Sequence, residues 1–408
     1  MKLIRDIDVR NKRVLLRVDF NVSLDKQGRV IDDFRIRATL PTIRCLLEQK
    51  SKVILLAHLG RPLEESSKFN PPAGGQSSPP AGDLPQGEKF SLRPVAERLS
   101  ELLGREVRLA PDCVGEEVRS QVAKTSEGEI LMLENLRWHP EEETNDAGFA
   151  KSLAELGEVY INDAFAVSHR AHASVEAITK FLSSCAGFLL EKEIVNLSRV
   201  RDNPEYPLCV IIGGAKISTK IKLIQSFLNQ AQDIILGGAL ANTVLHAKGI
   251  AIGKSLIEEA MVPEVKKLEI TNTKLHLPVD AVLCTDREGK GICRTGPVGK
   301  IGEQELLLDI GPDSEELFAH VIKQAKMTVW NGPIGLFEVE KFSHGTRAVA
   351  EAVAESSAFS IVGGGETVAY LEKIGLVDKF SFVSTGGGAM LEFLTGEALP
   401  GLEALKRN

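Results

Sequence analysis

The chain has 408 residues, which favours two lobes over one compact core because domains average roughly 150 residues. Hydrophobic residues make up 43% and charged residues 26%, a balance that excludes wholesale disorder and is typical of globular proteins with buried cores. The formal net charge of −7 provides no overall field to attract DNA or RNA, so we expect no nucleic-acid partner.

The start of the chain alternates charged residues with single apolar ones and has no continuous apolar stretch. It therefore does not resemble a secretory signal. Apolar runs elsewhere, such as residues 53–57, are far shorter than the roughly 18 residues that a membrane helix needs. We expect a cytoplasmic protein with no membrane partner.

Short aliphatic strands alternate with longer helical patterns along the chain, which is typical of parallel α/β architecture. Predicted strands of the first half end in polar or basic residues: 14–21, 53–61, 130–137 and 159–163. Predicted strands of the second half end in glycine turns: 210–214, 234–238, 329–332, 361–365 and 383–388. We predict an α/β protein of two lobes, each a mainly parallel, Rossmann-like sheet flanked by helices, joined by a helix and hinge.

The two halves predict two different binding faces, because ligands of open parallel sheets bind beyond the carboxyl ends of the strands. The first face is built of Arg, His and Asn side chains. The second is built of glycine backbone, which lets main-chain N–H groups and helix N-termini approach phosphates or a flat base.

A helical pattern over residues 188–200 separates the halves, and the turn Asp202-Asn203-Pro204 follows it. We predict an N-terminal domain over 1–180, a connecting helix and hinge over 181–200, and a C-terminal domain over 201–395. Residues 64–88 are rich in Pro, Gly and Ser, which predicts a mobile surface loop. Its position after Arg61 leaves a lid open as an interpretation, but a neutral insertion is favoured.

Cysteine usage favours reduced, mostly buried thiols over a disulfide or zinc framework, because no C-x-x-C pair occurs. The six cysteines are scattered: Cys45, Cys113, Cys185, Cys209, Cys284 and Cys293. His169 and His172 could face one way on a helix as a metal pair, but no third ligand motif accompanies them.

Common nucleotide-binding signatures fail. The sequence Gly253-Lys254-Ser255 looks like the end of a P-loop, yet Lys248 stands where the first glycine is required. No G-x-G-x-x-G occurs, which weakens a nicotinamide dehydrogenase or a protein kinase as alternatives.

Basic residues gather at the ends of first-half strands or turns, namely Arg35, Arg61, Arg137 and Arg170. Each alone is most often a solvated surface cation. Converging with His58, Asp19 and Asn21, they predict a pocket for a small acid carrying phosphate and carboxylate, since guanidinium groups match those oxyanions bidentately.

Two second-half turns predict an anion site. Lys216 and Lys220 stand four residues apart across a strand-to-helix turn, where cations are slightly unfavourable against the helix dipole unless an anion is bound. The turn over residues 363–367 repeats the arrangement with one carboxylate. Glu366 is explained by a helix cap alone, or by a magnesium ligand together with the glycines.

Ordered motifs over essentially the whole chain resemble those of the phosphoglycerate kinase family. They are RVDFN (17–21), HLGRP (58–62), LENLRW (133–138), NDAF and HRAHAS (162–174), GGAKISTK (213–220), WNGPIGLFE (330–338), GGGET (363–367) and STGGGAMLEFLTG (384–396). The resemblance implies transfer of the acyl phosphate of 1,3-bisphosphoglycerate to Mg-ADP, giving 3-phosphoglycerate and ATP, and the reverse reaction. These small molecules, with Mg²⁺, are the expected partners of a chain that we expect to be monomeric.

By position, the resemblance also implies the site residues. Those expected to hold the three-carbon acid are Asp19, Asn21, Arg35, His58, Leu59, Gly60, Arg61, Arg137 and Arg170. Those expected to hold the nucleotide are Gly214, Lys216, Lys220, Glu338, Gly363, Gly364, Gly365, Glu366 and Thr367. Glu338 is placed on the ribose hydroxyls and Glu366 on the metal, and residues 396–408 are expected to return to the N-terminal domain.

Phosphoryl transfer needs positioning and charge neutralisation rather than a covalent intermediate. We predict that Arg35 from one lobe and Lys216 from the other form this catalytic clamp, which requires domain closure. A catalytically silent binding protein is disfavoured, because both residues are present. Three departures from the family pattern are Glu366 in place of Asp, Ser23 in place of Pro, and residues 166–168 in place of Gly-Thr-Ala.

Overall fold

The computed structural model describes residues 1–62, 90–269 and 272–407. The predicted loop at 64–88 lies outside these ranges. Within them, no helix combines the length and apolar character needed to cross a membrane. The chain divides into two compact units, the first formed by Met1–Ile194 and Ala398–Asn408, the second by Val195–Glu397.

The first unit contains a six-stranded parallel sheet with the strand order β3-β4-β2-β1-β5-β6. Its strands are β1 Arg13–Arg17, β2 Lys52–Leu56, β3 Val107–Leu109, β4 Ile130–Met132, β5 Val159–Asn162 and β6 Ser184–Ala186. Its helices are α1 Phe34–Glu48, α2 Arg93–Leu103, α3 Glu116–Ala123, α4 Pro140–Glu143, α5 Ala147–Ala154 and α6 Phe188–Asp202.

The central strands have apolar interiors because both faces of a parallel sheet are covered. Residues 14–16 of β1 and 53–56 of β2 are fully buried. Helix α1 packs Ile36 and Ile43 into the same core. This packing fixes the carboxyl ends of β1 and β2, from which the first candidate site is built.

The second unit contains a six-stranded parallel sheet with the order β15-β14-β13-β7-β8-β9 and an antiparallel sheet β11-β10-β12. The parallel strands are β7 Leu208–Ile212, β8 Asp233–Leu236, β9 Lys274–His276, β13 Met327–Asn331, β14 Phe359–Gly363 and β15 Phe382–Ser384. The antiparallel strands are β10 Asp280–Cys284, β11 Cys293–Pro297 and β12 Leu306–Ile310. The fold class predicted from the sequence is confirmed, with the antiparallel sheet as an addition.

The helices of the second unit are α7 Ile221–Phe227, α8 Gly238–Ala247, α9 Val262–Lys266, α10 Pro312–Gln324, α11 His344–Glu355, α12 Gly365–Lys373 and α13 Gly388–Leu394. The division between the units falls inside α6. The last helix, α14 Pro400–Lys406, belongs to the first unit, where the Gly401 amide donates to the carbonyl oxygen of Ser168 at 2.9 Å.

The prediction that all cysteines are reduced is wrong for one pair. Cys284 and Cys293 form a disulfide across β10 and β11. Local spacing gave no sign of it, because the antiparallel register places the two residues directly opposite each other with Cα atoms 4.1 Å apart. Cys113, Cys185 and Cys209 are free and buried, while Cys45 is free and half-buried.

Candidate active site

The chain leaving β1 carries the first group of predicted residues. Asp19 is buried and accepts from the Arg35 guanidinium, which comes from the first turn of α1. The Asn21 side-chain oxygen accepts from the Gly60 amide at 2.8 Å. The structure therefore brings Asp19, Asn21, Arg35 and the turn after β2 together, as predicted, and shows that Asp19 orients a cation.

The turn after β2, residues 58–61, requires glycine at its third position. Gly60 has φ +62°, and a Cβ placed there would lie 2.6 Å from the Phe90 ring. Leu59 is buried, whereas Arg61 is exposed. His58 is buried, with Nε2 4.0 Å from Asp19 Oδ1.

Arg137 lies in the 3₁₀ turn Leu136–Trp138 and is only 6% exposed. Its Nη1 donates to the Gly60 carbonyl oxygen at 2.9 Å, and its Nε lies 3.1 Å from Glu143 Oε1 without hydrogen-bond alignment. The pKa of Arg137 is lowered to about 10, chiefly by burial. The nearby Glu143 carboxylate opposes this change, whereas repulsion from Arg17, Arg170 and Arg61 adds to it. A second anion next to Arg137 would relieve this repulsion.

Arg17 is a member of this cluster that the sequence argument left without a role. It is 1% exposed, donates from Nε to Ser174 Oγ at 2.8 Å, and lies 4.0 Å from Glu142 Oε1. A charged residue at the end of a strand with an apolar interior was the available signal, but its side-chain partners Ser174 and Glu142 are far away in sequence.

Histidines next to these arginines are held neutral. Burial and then Arg17 put the pKa of His58 well below its usual value, and the same two causes lower that of His172 to about 3. Burial and Arg170 also lower the pKa of His169, whose Nε2 lies 3.3 Å from Arg170 Nε. The cluster thus keeps arginine charge while its histidines serve as neutral donors or acceptors.

In the second unit, main-chain hydrogen bonds connect the glycine turns that follow β7, β8 and β13. The Gly214 amide donates to Pro333 O at 2.7 Å, and the Gly238 amide donates to Ile334 O at 2.6 Å. A Cβ on Gly213 would lie 2.0 Å from Pro333 O, so this approach needs glycine. The three turns form one backbone cradle.

A pocket of about 260 Å³ opens on this cradle. Gly214, Glu338 and Glu366, all predicted nucleotide residues, line it, together with Ala239 and Leu308. The other predicted nucleotide residues, which do not line the pocket, are Lys216, Lys220, Gly363, Gly364, Gly365 and Thr367. The apolar wall and the backbone cradle suit a flat base and a phosphate chain.

The two predicted lysines differ. Lys220 Nζ donates to the carbonyl oxygens of Gly213 at 2.6 Å and Asn331 at 3.2 Å, and burial lowers its pKa to about 8. The Lys216 side chain is exposed and has no hydrogen-bond or ion-pair partner in the part of the chain that the structure describes. Lys220 therefore braces the turn, while Lys216 is available to a ligand.

The turn after β14 combines support and exposure. Thr367 is fully buried, and its hydroxyl accepts from the Gly332 amide at 3.0 Å, while Gly332 O accepts from Trp330 Nε1 at 2.8 Å. Thr367 thus fixes the neighbouring turn. Glu366, in the first turn of α12, is exposed and forms no cap; its carboxylate has no hydrogen-bond partner among residues 1–62, 90–269 and 272–407.

Comparisons with known proteins identify the family of the chain. A family model for phosphoglycerate kinase matches residues 4–397. The chain is 47% identical over 406 residues to a phosphoglycerate kinase of Moorella thermoacetica, covering 98% of each chain. It is 46% identical over 413 residues to one of Desulfosudis oleivorans, covering 100% of this chain and 99% of the relative.

Two solved structures are similar over nearly the full length. The phosphoglycerate kinase from Pyrococcus horikoshii has a TM-score of 0.85 at 32% identity, with 100% of this chain and 98% of that chain covered. The enzyme from Coxiella burnetii has a TM-score of 0.80 at 38% identity, with 99% and 98% covered. The chain belongs to the phosphoglycerate kinase family.

Proposed function

We propose that this chain transfers the acyl phosphate of 1,3-bisphosphoglycerate to ADP, giving 3-phosphoglycerate and ATP, and runs the reverse reaction. The observation that carries the proposal is that one unit holds a group of arginines around neutral His58 and the other holds a backbone-lined pocket suited to a nucleotide. A single chain supplies both sites, so a monomer suffices. We place the reaction in the cytoplasm, with the rest of glycolysis.

The acid site binds the three-carbon substrate through the positive charge and the paired N–H donors of its guanidinium groups. Arg35, Arg61, Arg137 and Arg170 are the proposed ligands of its phosphate and carboxylate oxygens. His58 provides a neutral hydrogen-bonding group among them, and the turn over residues 59–60 shapes the pocket. Asp19 and Asn21 hold Arg35 and Gly60 in place.

The nucleotide site binds the base on the apolar wall and the phosphates on the glycine turns. Glu338 lines the pocket and is the proposed ligand of the ribose hydroxyls. Gly214, together with Gly363, Gly364 and Gly365, lets the phosphates approach the main chain. Lys220 and Thr367 hold these turns in place.

The residues present fit a magnesium ion. Glu366 lines the pocket, and its carboxylate has no hydrogen-bond partner among the described residues. Mg²⁺ in kinases is held by one or two carboxylates plus substrate phosphates. When bound there, the ion would neutralise charge on the nucleotide phosphates.

Transfer then proceeds directly between the two substrates. Arg35 from the first unit and Lys216 from the second are the proposed catalytic cations that neutralise the moving phosphoryl group. Because they come from separate units, the step follows closure of the units around the substrates. Closure also excludes water, which would otherwise hydrolyse the acyl phosphate.

A coupled assay tests the proposal. Purified protein is mixed with ATP and 3-phosphoglycerate, and glyceraldehyde-3-phosphate dehydrogenase reports the acyl phosphate through NADH oxidation. We expect oxidation that requires both substrates and this protein. A purified, folded chain that consumes neither substrate would refute the function.

A further inference from the structure

Asn135 is a fully buried residue to which neither the sequence argument nor the proposed reaction assigns a role. It follows the buried strand β4 and precedes the 3₁₀ turn that carries Arg137. Its side chain uses its whole hydrogen-bonding capacity, which for a carboxamide is two donors and two acceptor positions. All of its partners are main-chain groups.

These partners belong to three separate segments. Asn135 Oδ1 accepts from the Leu59 amide at 3.2 Å and from the Arg137 amide at 3.0 Å. Asn135 Nδ2 donates to the carbonyl oxygens of Leu59 at 2.7 Å and Phe90 at 3.0 Å. The opposite amide orientation would face its NH₂ against two N–H groups, so the network fixes the side chain in one way.

The bonds to Leu59 hold the turn over residues 58–61 from its centre. Arg137 Nη1 donates to the Gly60 carbonyl oxygen of the same turn at 2.9 Å. The main-chain amide of Arg137 donates to Asn135 Oδ1. Asn135 therefore forms hydrogen bonds both to the turn and to Arg137, which contact each other. Asn135 is therefore one of the groups that set the spacing between the turn and Arg137, together with the bond from the Leu136 amide to the Ala57 carbonyl oxygen at 3.1 Å.

Phe90, the first described residue after residue 62, belongs to the same hydrogen-bond network. Its carbonyl oxygen is held by Asn135, and its ring fills the space where a Cβ of Gly60 would lie. Glu134, the residue before Asn135, accepts from the amides of Leu92 at 2.9 Å and Asn135 at 3.0 Å. Residues 134 and 135 therefore hold the chain on both sides of residues 63–89.

We infer that Asn135 is a positioning residue for the acid site, which sets the spacing between the 58–61 turn and Arg137 without touching substrate. This inference rests on the proposed function. Loss of the carboxamide leaves buried main-chain groups of Leu59, Phe90 and Arg137 unpaired, so the turn and Arg137 shift to find new partners. The acid site then loses its geometry, while the nucleotide pocket, built from the other unit, keeps its own.

The test compares Asn135→Ser with Asn135→Asp, which keeps oxygen acceptors for the Leu59 and Arg137 amides. Asn145→Ser is the matched control, because Asn145 also bridges two segments of the first unit, through Glu176 and Ala177, but contacts neither the turn nor Arg137. Calorimetry measures the binding of 3-phosphoglycerate and of ADP separately, and steady-state assays give both KM values. Circular dichroism and melting confirm folding.

We expect Asn135→Ser to raise the dissociation constant and KM for 3-phosphoglycerate at least about tenfold, since buried main-chain groups lose their partners. Asn135→Asp should also weaken 3-phosphoglycerate binding, because its second carboxylate oxygen faces the carbonyl oxygens of Leu59 and Phe90 that Nδ2 now donates to. ADP binding should stay within about twofold of wild type in both variants because its site lies in the other unit. Asn145→Ser should leave 3-phosphoglycerate binding unchanged. If Asn135→Ser does not fold, the isosteric Asp variant decides alone.

The inference is overturned if the folded Asn135 variants melt lower yet bind 3-phosphoglycerate like wild type, or if Asn145→Ser weakens that binding equally. Wild-type turnover with ATP and 3-phosphoglycerate is measured first and tests the proposed function by itself. An inactive wild type that still binds 3-phosphoglycerate in an Asn135-dependent way would refute the proposed reaction and support the positioning role.

Discussion

The guanidinium Nη2 of Arg17 lies 3.2 Å from Nδ1 of His58. Because a guanidinium can only donate, His58 accepts at Nδ1, and its neutral ring carries the proton on Nε2. Arg17 therefore fixes the tautomer that His58 presents to the acid site. Both side chains are buried, so water does not compete for this contact.

We predict that His58 stays neutral, with its proton on Nε2, over the pH range in which an ordinary histidine becomes protonated, because burial and Arg17 hold its pKa well below the ordinary value. Nitrogen-15 NMR of the imidazole reports the tautomer and charge directly. Arg17→Met should remove the fixed tautomer and raise the pKa of His58, while burial still holds it below that of a free histidine. Protonation of wild-type His58 above pH 6 would contradict this assignment.

His172, in the same cluster, makes the free energy of unfolding depend on pH. Its pKa is about 3 in the folded chain, against 6.5 for an ordinary histidine, so only the unfolded chain takes up its proton between those values. Folding is therefore favoured above pH 6.5, and this contribution is lost as pH falls through the window, by about 1.4 kcal/mol of unfolding free energy per pH unit.

The measurement is urea unfolding of wild type and His172→Gln at pH 7 and pH 5. The difference between the two proteins isolates His172 from buried Asp163 and Asp309, whose pKa values are raised by burial to about 7 and which act in the opposite direction. Wild type should lose more unfolding free energy than the variant on acidification. Equal losses would show that His172 takes up its proton in the folded state.

The sequence predicts the parallel framework well because its signals are local. Runs such as residues 53–56 are apolar throughout, as strands buried on both faces must be, and the glycine turns follow them directly. The antiparallel sheet and the Cys284–Cys293 bond depend on register between strands, which local spacing does not specify. Register is set by long-range packing.

The candidate site shows the same limit. Motif positions identified which residues gather at the strand ends, including Arg35 with Asp19 and Asn21 with Gly60. They did not separate exposed Lys216 from Lys220, which bonds to carbonyl oxygens 7 and 111 residues away. The role of Arg17 was equally hidden, because Ser174, its partner, is 157 residues distant.

Glu366 provides a prediction about the metal. Glu366→Gln should weaken binding of the magnesium–nucleotide complex and raise the magnesium concentration for half-maximal activity, because the amide removes the only charge that this residue offers to a cation. Glu366→Asp should retain part of the wild-type affinity. Glu355→Gln, an exposed carboxylate on α11 of the same unit, is the control.

Titration calorimetry with ADP, with and without magnesium, separates the metal contribution from nucleotide binding alone. The expected loss appears only when magnesium is present. A magnesium dependence identical to that of wild type would leave Glu366 as a first-turn helix residue that favours the dipole and nothing more.

Lys216 and Lys220 should respond differently to removal because only one of them is already bonded. Lys216→Ala should lower kcat by about a hundredfold while changing nucleotide affinity much less, since a cation that acts on the moving phosphoryl group contributes chiefly in the transition state.

Lys220→Ala should instead lower the melting temperature and weaken nucleotide binding, because Nζ holds the carbonyl ends of β7 and β13 together. Lys222→Ala, which removes an exposed pair with Glu397, is the matched control. Steady-state kinetics with calorimetric ADP binding measures both effects, and equal losses of kcat and affinity in Lys216→Ala would assign it to ground-state binding.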